Sequence, residues 1–127
     1  MCSDSYQPPK IWRPFKKTFS LQERKNGYKT IQQKYPDRIP VIVEPDTRSN
    51  LPLIAKCKYL VPIEFTVARF MFEIRTQIKL NADTAIFLFV NNDTLPPAQC
   101  LIAQLYDVHK QEDGFLYFTY SGENTFG

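Results

Sequence analysis

The order in which β-type and helical patterns follow one another constrains the fold of this chain more than any other feature. Runs of β-branched, aliphatic and aromatic residues with the length of strands occupy positions 38–44, 53–62, 85–90 and 115–120. Apolar residues with helical spacing occupy positions 20–36, 66–80 and 96–110. This order predicts a small α+β domain in which a helix packs on one face of a sheet, the β-grasp plan.

Each predicted helix has its own signature. In the first, Ser20 and Glu23 form the pattern of a capping box, in which each side chain accepts a hydrogen bond from an unpaired backbone N–H, and Pro36 ends the helix. Its apolar face consists of Leu21, Tyr28, Ile31 and Tyr35. The second has a stronger apolar face, made of Val67, Phe70, Met71, Ile74 and Ile78. The third, 96–110, is expected to begin at its leading prolines.

Both ends of the chain lack these patterns. Residues 1–14 form a Pro-rich segment without periodicity, so we predict a flexible arm, anchored at its end by Trp12 and Phe15. Residues 121–127 read SGENTFG and offer little apolar surface to bury, which predicts a flexible tail. The folded domain is therefore expected to span residues 15–120.

Residue types that carry chemistry are sparse. The cysteines Cys2, Cys57 and Cys100 show no CxxC spacing, and the chain has one histidine, His109. A thiol nucleophile at Cys57 or Cys100 would need His109 beside it, and nothing in the spacing favours that pairing. Glycine-rich phosphate-binding motifs are also missing. The sequence therefore predicts a protein that is not an enzyme and needs neither a cofactor nor a metal.

The segment KCKYLVP within the second strand is more informative. Strand alternation places Lys56, Lys58 and Leu60 on one face, and Cys57, Tyr59 and Val61 on the other. At the edge of a sheet, the lysines would guard the strand against aggregation, or the strand would accept an extended acidic peptide. An RNA-binding surface is the alternative, because KCKYL and FKKTF alternate lysines with aromatic rings. A net charge of +3 gives that alternative little support.

Several long segments, in the same order and almost without length changes, resemble the autophagy ubiquitin-like modifiers of the GABARAP and light-chain type. They are RIPVIVE, KYLVP, LNADTAIFLFVNNDTLPP and DGFLYFTYSGENTFG. The resemblance runs from about Phe15 to Gly127. It implies a ubiquitin-like β-grasp fold with two additional N-terminal helices, and conjugation of Gly127 to phosphatidylethanolamine. Glycine suits that chemistry, because without a Cβ its carboxylate can closely approach an adenylating or thioester-forming centre.

The resemblance also implies partners and a location. The partners are E1-like and E2-like conjugating enzymes, a processing and deconjugating cysteine protease, and cargo receptors that carry aromatic-x-x-aliphatic motifs. No nucleic-acid partner is implied. The protein is expected in the cytoplasm when unconjugated and on the autophagosome membrane when lipidated.

Two motif pockets follow from the resemblance, residue by residue. The pocket for the aromatic residue comprises Ile31, Pro40, Ile42, Lys58, Leu60 and Phe115. The pocket for the aliphatic residue comprises Tyr59, Val61, Pro62, Phe65, Phe70 and Ile74. The acidic residues that flank such motifs would face Arg38, Lys56 and Lys58. Three of these residues would lie in the core of any β-grasp domain, namely Ile42, Val61 and Ile74.

The chain departs from the family pattern beside both pockets. Gly27 stands where a polar, commonly acidic residue is usual, which removes a possible hydrogen-bond partner for an indole. Glu73 replaces an apolar residue and Gln77 replaces a common arginine at the rim of the aliphatic pocket. We therefore expect the preference among motifs to be shifted.

Overall fold

A four-stranded mixed sheet carries helices on both of its faces. The computed structural model describes residues 12–47, 49, 51–81 and 83–122. Along the chain the elements are α1 (Phe15–Thr18), α2 (Leu21–Lys34), β1 (Arg38–Pro45), β2 (Lys58–Pro62), α3 (Val67–Ile78), β3 (Phe87–Val90), α4 (Ile102–His109) and β4 (Leu116–Ser121). This is the predicted β-grasp arrangement, and the two N-terminal helices that the resemblance implied are both present.

The strands are arranged in the order β2-β1-β4-β3. The central strands β1 and β4 run parallel, whereas β2 and β3 pair antiparallel to their neighbours. All six residues of β4 are buried, as expected for a strand covered on both faces. Among the described residues, β2 is an edge strand that pairs with β1 alone, which is the condition under which an added peptide strand could pair with it.

The face of the sheet that carries α3 and α4 holds the main core. From β1 and β4 it receives alternate residues, namely Ile39, Val41, Val43, Leu116, Phe118 and Tyr120. From α3 it receives Val67, Phe70, Ile74 and Ile78, with Met71 packed at its border. The predicted apolar face of α3 is therefore confirmed, and its spacing fits one helical stripe.

The opposite face of the sheet holds a second, smaller core under α1 and α2. It consists of Phe15, Ile42, Phe115 and Tyr117, with Tyr28 and Ile31 of α2 packed against it. The ring of Phe15 lies edge-on to that of Phe115, 5.4 Å between centroids. The Phe15 N–H also donates to the Glu44 carboxylate over 2.7 Å, which ties α1 to β1. Phe15 is therefore an anchor, as the sequence predicted, and Trp12, three residues earlier, is half-buried.

A buried polar cluster fastens α2 to the turn before β4. The carboxylate of Asp113 accepts hydrogen bonds from Arg24 Nη1 at 2.6 Å, Tyr117 OH at 2.6 Å and the Phe115 N–H at 2.9 Å. The Asp113 side chain is fully buried, and that of Arg24 is 11% exposed. Burial, together with the hydrogen bond to Asp113, raises the pKa of Tyr117, so its hydroxyl remains a donor.

Helix α2 also packs against Gly114 of this turn. This residue has a φ of 94°, and a Cβ there would stand 2.4 Å from the Tyr28 ring. Both the backbone conformation and the close approach of α2 therefore require glycine.

Two predicted boundaries are wrong, because tertiary hydrogen bonds replace local ones. Strand β2 begins at Lys58 rather than near residue 53, since the Ile54 N–H donates to the Tyr120 hydroxyl, which donates to the Pro52 carbonyl. Helix α4 begins at Ile102 and not at the prolines 96–97. The carbonyls of residues 98 and 100 instead accept the first N–H groups of α3.

The two ends of the chain are described in part. Strand β4 continues to Ser121, one residue past the predicted strand, and pairs there with Phe87. Residues 1–11 of the predicted arm and 123–127 of the predicted tail, including Gly127, lie outside the described residues.

Replacement of Asp113 by Asn tests the polar cluster. We expect the free energy of unfolding to fall by about 3–5 kcal/mol, because the Arg24 guanidinium then lacks an anionic partner in a nearly dry site. Urea denaturation measures this loss. Glu112→Gln is the matched control, because this neighbouring carboxylate is exposed and lies 3.9 Å from Lys25 Nζ. It should cost less than about 0.5 kcal/mol, and equal losses in the two variants would contradict the assignment.

Candidate functional site

The outer side of β2 is an open sheet edge. The Val43 N–H donates to the Cys57 carbonyl over 2.8 Å, so these residues form a hydrogen-bonded pair of the ladder. Such pairs alternate with non-bonded ones in an antiparallel ladder, which directs the backbone groups of Tyr59 toward β1. Lys58 and Leu60 accordingly turn their N–H and C=O groups away from the sheet. An extended chain can pair with these groups as an added strand.

Cations surround this edge. Lys56 and Lys58 are exposed, with their ammonium groups 5.1 Å from the Tyr59 ring centroid and 6.0 Å from the Phe15 ring centroid. Arg38 is also exposed, and its Nη1 lies 3.4 Å from the Leu60 carbonyl oxygen. The predicted acidic-flank contacts therefore occur together along one strand edge, where they favour an acidic chain.

The structure brings the residues of the predicted aromatic pocket together between α2 and β2. In the β1–β2 register, Pro40 stands opposite Leu60 and Ile42 stands opposite Lys58. Ile31 packs against the small core to which Ile42 and Phe115 belong. The members differ in access: Ile31 and Leu60 are half-buried and Lys58 is exposed, whereas Pro40, Ile42 and Phe115 are buried. The buried members can form the floor of a pocket, and the others its walls.

The residues of the predicted aliphatic pocket lie on the other face of β2, beside α3. Tyr59, Pro62 and Phe65 are half-buried and offer surface to a ligand. Val61, Phe70 and Ile74 have at most 2% exposure and belong to the main core. The Tyr59 ring lies edge-on to that of Phe70, 5.7 Å between centroids. The core thus supports the accessible residues from below.

A small cleft beside Lys58 was predicted only in part from the sequence, through Gly27, Lys58 and Phe115. Its volume is about 90 Å³, and it is lined by Phe15, Phe19, Glu23, Arg24, Gly27, Lys58 and Phe115. The rings of Phe15 and Phe19 stand 5.2 Å apart at opposite ends of α1. A helix of four residues is too short to show periodicity, so the sequence carried no signal that would place Phe19 and Glu23 beside β2.

A larger cleft of about 580 Å³ lies between the N-terminal segment, the end of β1 and the turn after β3. Trp12, Lys16, Glu44 and Asn92 line it. Its polar groups are largely paired with one another: Gln111 Nε2 donates to Asn91 Oδ1 over 2.7 Å, and Asn91 Nδ2 donates to the His109 carbonyl. None of the residues that line this cleft belongs to β2.

The described residues offer few groups for catalysis. Burial, with a contribution from Glu44, raises the pKa of the Cys57 thiol, which disfavours the thiolate that a nucleophile requires. No group of three potential metal ligands occurs within the described ranges. Among the described helices, none is both long enough and apolar enough to cross a membrane.

Comparison with known proteins places this geometry in a family. The family model described as "Autophagy protein Atg8 ubiquitin like" matches residues 23–127. The chain belongs to the Atg8 family. Autophagy-related protein 8c of Arabidopsis thaliana is 55% identical over 113 residues, covering 89% of this chain and 94% of that protein. Autophagy-related protein 8 of Schizosaccharomyces pombe is 52% identical over 113 residues, covering 89% and 93%.

Solved Atg8 structures share the fold. Trypanosoma brucei ATG8 has a TM-score of 0.83 and 36% identity, covering 92% of this chain and 100% of that chain. Plasmodium falciparum Atg8, in complex with a peptide of Plasmodium falciparum Atg3, has a TM-score of 0.81 and 38% identity, covering 89% and 98%. The predicted family and fold class are confirmed. This Atg8-family chain is an autophagy-related protein of the ubiquitin-like modifier type.

The Tyr59 hydroxyl gives a pH test of the aliphatic side of the site. Its oxygen is buried without a hydrogen-bond partner among the described residues. Burial, with smaller effects of Cys57 and Tyr120, raises the pKa of Tyr59 from 10 to about 12. The folded state therefore keeps this proton longer than the unfolded state does, so the associated stability is present below pH 10 and is lost between pH 10 and 12.

Tyr59→Phe should be at least as stable as the parent at pH 7, because it removes an unpaired buried hydroxyl. Its advantage should grow between pH 10 and 12, since the other tyrosines titrate alike in both proteins. Chemical denaturation across this pH range measures the difference, with Tyr35→Phe, a change at an exposed site, as control. A constant difference between Tyr59→Phe and the parent would show that Tyr59 is not shielded from solvent.

Proposed function

We propose that this Atg8-family protein is conjugated through Gly127 to phosphatidylethanolamine of autophagosomal membranes. There it docks proteins with aromatic-x-x-aliphatic motifs on the edge of β2 and supports autophagosome formation. The observation that carries the proposal is the open edge of β2, which has cations along its length and half-buried apolar side chains on both faces. The Atg3 peptide bound by the Plasmodium falciparum relative supports peptide recognition as a property of this fold.

Docking by strand addition uses the backbone and the side chains for different purposes. The outward-facing N–H and C=O groups of Lys58 and Leu60 give register to an extended peptide, which would take the place of Arg38 at the Leu60 carbonyl. Its aromatic residue lies on the α2 side of β2, near Ile31 and Leu60, and its aliphatic residue on the α3 side, near Tyr59. Burial of each anchor contributes about 1.5–3 kcal/mol, partly offset by the ordering of the peptide. The expected affinity is micromolar, about −8 kcal/mol.

The cations at the edge add selectivity for acidic motifs. Because Lys56, Lys58 and Arg38 are exposed, each ion pair is worth little in isolation. Their combined field raises the rate of encounter with an acidic peptide and disfavours basic ones.

Conjugation would attach the protein, and with it the docking edge of β2, to a membrane. The Gly127 carboxylate would attack ATP to form an acyl adenylate and release pyrophosphate. A cysteine of the E1-like enzyme would then displace AMP to give a thioester, which passes to a cysteine of the E2-like enzyme. The lipid amine would displace that thiol and form the amide. Two acyl chains, at about 0.8 kcal/mol per buried CH₂, then hold the protein stably on the bilayer. A cysteine protease would reverse the step. The protein is thus cytoplasmic before conjugation and autophagosomal afterwards, and it acts as a modifier and not as an enzyme.

Alanine substitutions test the docking edge. Leu60→Ala and Tyr59→Ala should each weaken binding of an acidic aromatic-x-x-aliphatic peptide at least tenfold, since each removes about 1.5 kcal/mol or more of apolar contact. Lys58→Ala should chiefly flatten the dependence of affinity on salt. Val108→Ala is the matched control, because this apolar residue of α4 is 76% exposed and remote from β2. Calorimetry measures all four variants.

The same titration addresses the alternative function, that of a non-conjugated basic adaptor of β-grasp fold that binds peptides or RNA. Single-stranded RNA that binds more tightly than the acidic peptide at physiological salt would overturn the docking proposal. An unchanged affinity in Leu60→Ala would do the same.

Deletion of Gly127 tests conjugation. Reconstitution with the conjugating enzymes, ATP and liposomes containing phosphatidylethanolamine should lipidate the parent chain, as read by mass spectrometry of its C-terminal peptide. The deleted form should yield no adduct and should keep its peptide affinity, because the residues of the proposed docking edge lie elsewhere in the chain. An adduct on the deleted form would exclude Gly127 as the site.

A further inference from the structure

One flank of α3 lies above the outer edge of β2. Phe70 of α3 packs on Tyr59 of β2, with the two rings edge-on and their centroids 5.7 Å apart. Residues three and four apart lie on the same side of a helix, so Glu73 and Gln77 follow Phe70 along this flank. Both of these polar residues are exposed. They therefore border the side of β2 on which a peptide would add.

The opposite flank of α3 faces the other edge of the sheet. Arg75 donates to the Asn81 carbonyl over 2.7 Å and to the Thr84 carbonyl, both in the loop that leads into β3. Strands β2 and β3 stand at opposite edges of the sheet. The helix is thus held across the sheet in one orientation, with the flank of Glu73 toward β2.

The Glu73 carboxylate is available to a ligand. Within the described part of the chain, no ion pair includes it. Arg69 lies one turn earlier, at a spacing that commonly forms ion pairs, but its guanidinium lies over the Phe65 ring, 4.6 Å from the centroid. Gln77, one turn later, is uncharged. This flank therefore presents a negative charge beside the half-buried apolar surface of Tyr59 and Phe65, and it complements a cation.

The geometry of an added strand determines which peptide residues can reach Glu73. Alternate side chains of a strand point to the same face and are about 6.7 Å apart. With the aliphatic anchor near Tyr59, the residues two positions before and two positions after it also point toward α3. The Lys56 ammonium lies 5.1 Å from the Tyr59 ring centroid. A peptide cation is therefore favoured at whichever of the two positions is farther from Lys56.

We propose that Glu73 makes the docking edge select motifs with a lysine or arginine two positions from the aliphatic anchor. Such a motif carries this cation on the α3 side and acidic flanks that face Arg38 and Lys58. Glu73 acts as much by repelling motifs with an acid at this position as by attracting a cation. This inference rests on the proposed docking function and narrows its partners from acidic motifs to motifs that carry both charges in a fixed order.

The test uses the whole chain and four acidic aromatic-x-x-aliphatic peptides, with lysine or glutamate two positions before or after the aliphatic anchor. Calorimetry with the parent should give, at one of these positions, a ratio of lysine to glutamate affinity above one. Glu73→Lys should lower that ratio at least tenfold, because the flank then repels lysine and attracts glutamate. Asp107→Lys is the matched control, since it makes the same charge change at an exposed site of α4, and most of the ratio should remain.

The outcomes separate this inference from the docking function. A ratio of one or less at both positions in the parent would overturn the role of Glu73 and leave docking intact. A ratio that Glu73→Lys does not change, or that Asp107→Lys changes equally, would also overturn it. If none of the four peptides binds, docking on β2 is wrong and this inference with it. Circular dichroism of the Glu73→Lys variant verifies that α3 is intact.

Discussion

The position of α2 beside the proposed docking edge of β2 depends on the buried contact between Arg24 and Asp113. Asp113 lies in the turn before β4 and Arg24 in the second turn of α2, so their 2.6 Å contact fastens the helix to the sheet at one point. Tyr28 packs on Gly114 of the same turn, and the Tyr106 hydroxyl of α4 donates to the Gly114 carbonyl over 2.8 Å. This turn therefore joins helices from both faces of the sheet. Without the Arg24–Asp113 contact, α2 would lose its position against β2, and the aromatic pocket would lose one wall.

Strand β2 serves two pockets because its neighbours differ on the two faces. Its register with β1 places Lys58 and Leu60 on the face of Pro40 and Ile42, which the N-terminal helices cover. Tyr59 and Val61 lie on the face of the main core, beside α3. The alternation of a single strand thus directs successive side chains of a docked peptide to opposite faces. The N-terminal helices α1 and α2 cover the second face of the sheet, which would be exposed to solvent in a β-grasp domain without them.

The sequence predicted the parts of this structure that follow from local periodicity. Alternation in KYLVP predicted which residues of β2 share a face, and the spacing of Phe70, Ile74 and Ile78 predicted the buried side of α3. The assignment was wrong for the two residues before β2, because Cys57 packs against the small core and the Lys56 ammonium lies 5.1 Å from the Tyr59 ring centroid. Sequence-based prediction failed where contacts between residues distant in the chain determine the structure. The prolines before α4 do not start the helix, because carbonyls of that segment accept hydrogen bonds from α3. The cleft at Gly27 was predicted only in part: Gly27, Lys58 and Phe115 were assigned to the aromatic pocket or its border, but nothing in the sequence placed Phe19 and Glu23 beside them.

Amide hydrogen exchange at β2 tests strand addition most directly. The N–H groups of Lys58 and Leu60 point to the open edge, whereas the N–H of Tyr59 is turned toward β1 by the ladder. Addition of a saturating acidic aromatic-x-x-aliphatic peptide should slow the exchange of Lys58 and Leu60 strongly, and that of Tyr59 much less. Bound peptide with unchanged exchange at Lys58 and Leu60 would contradict docking by strand addition on this edge.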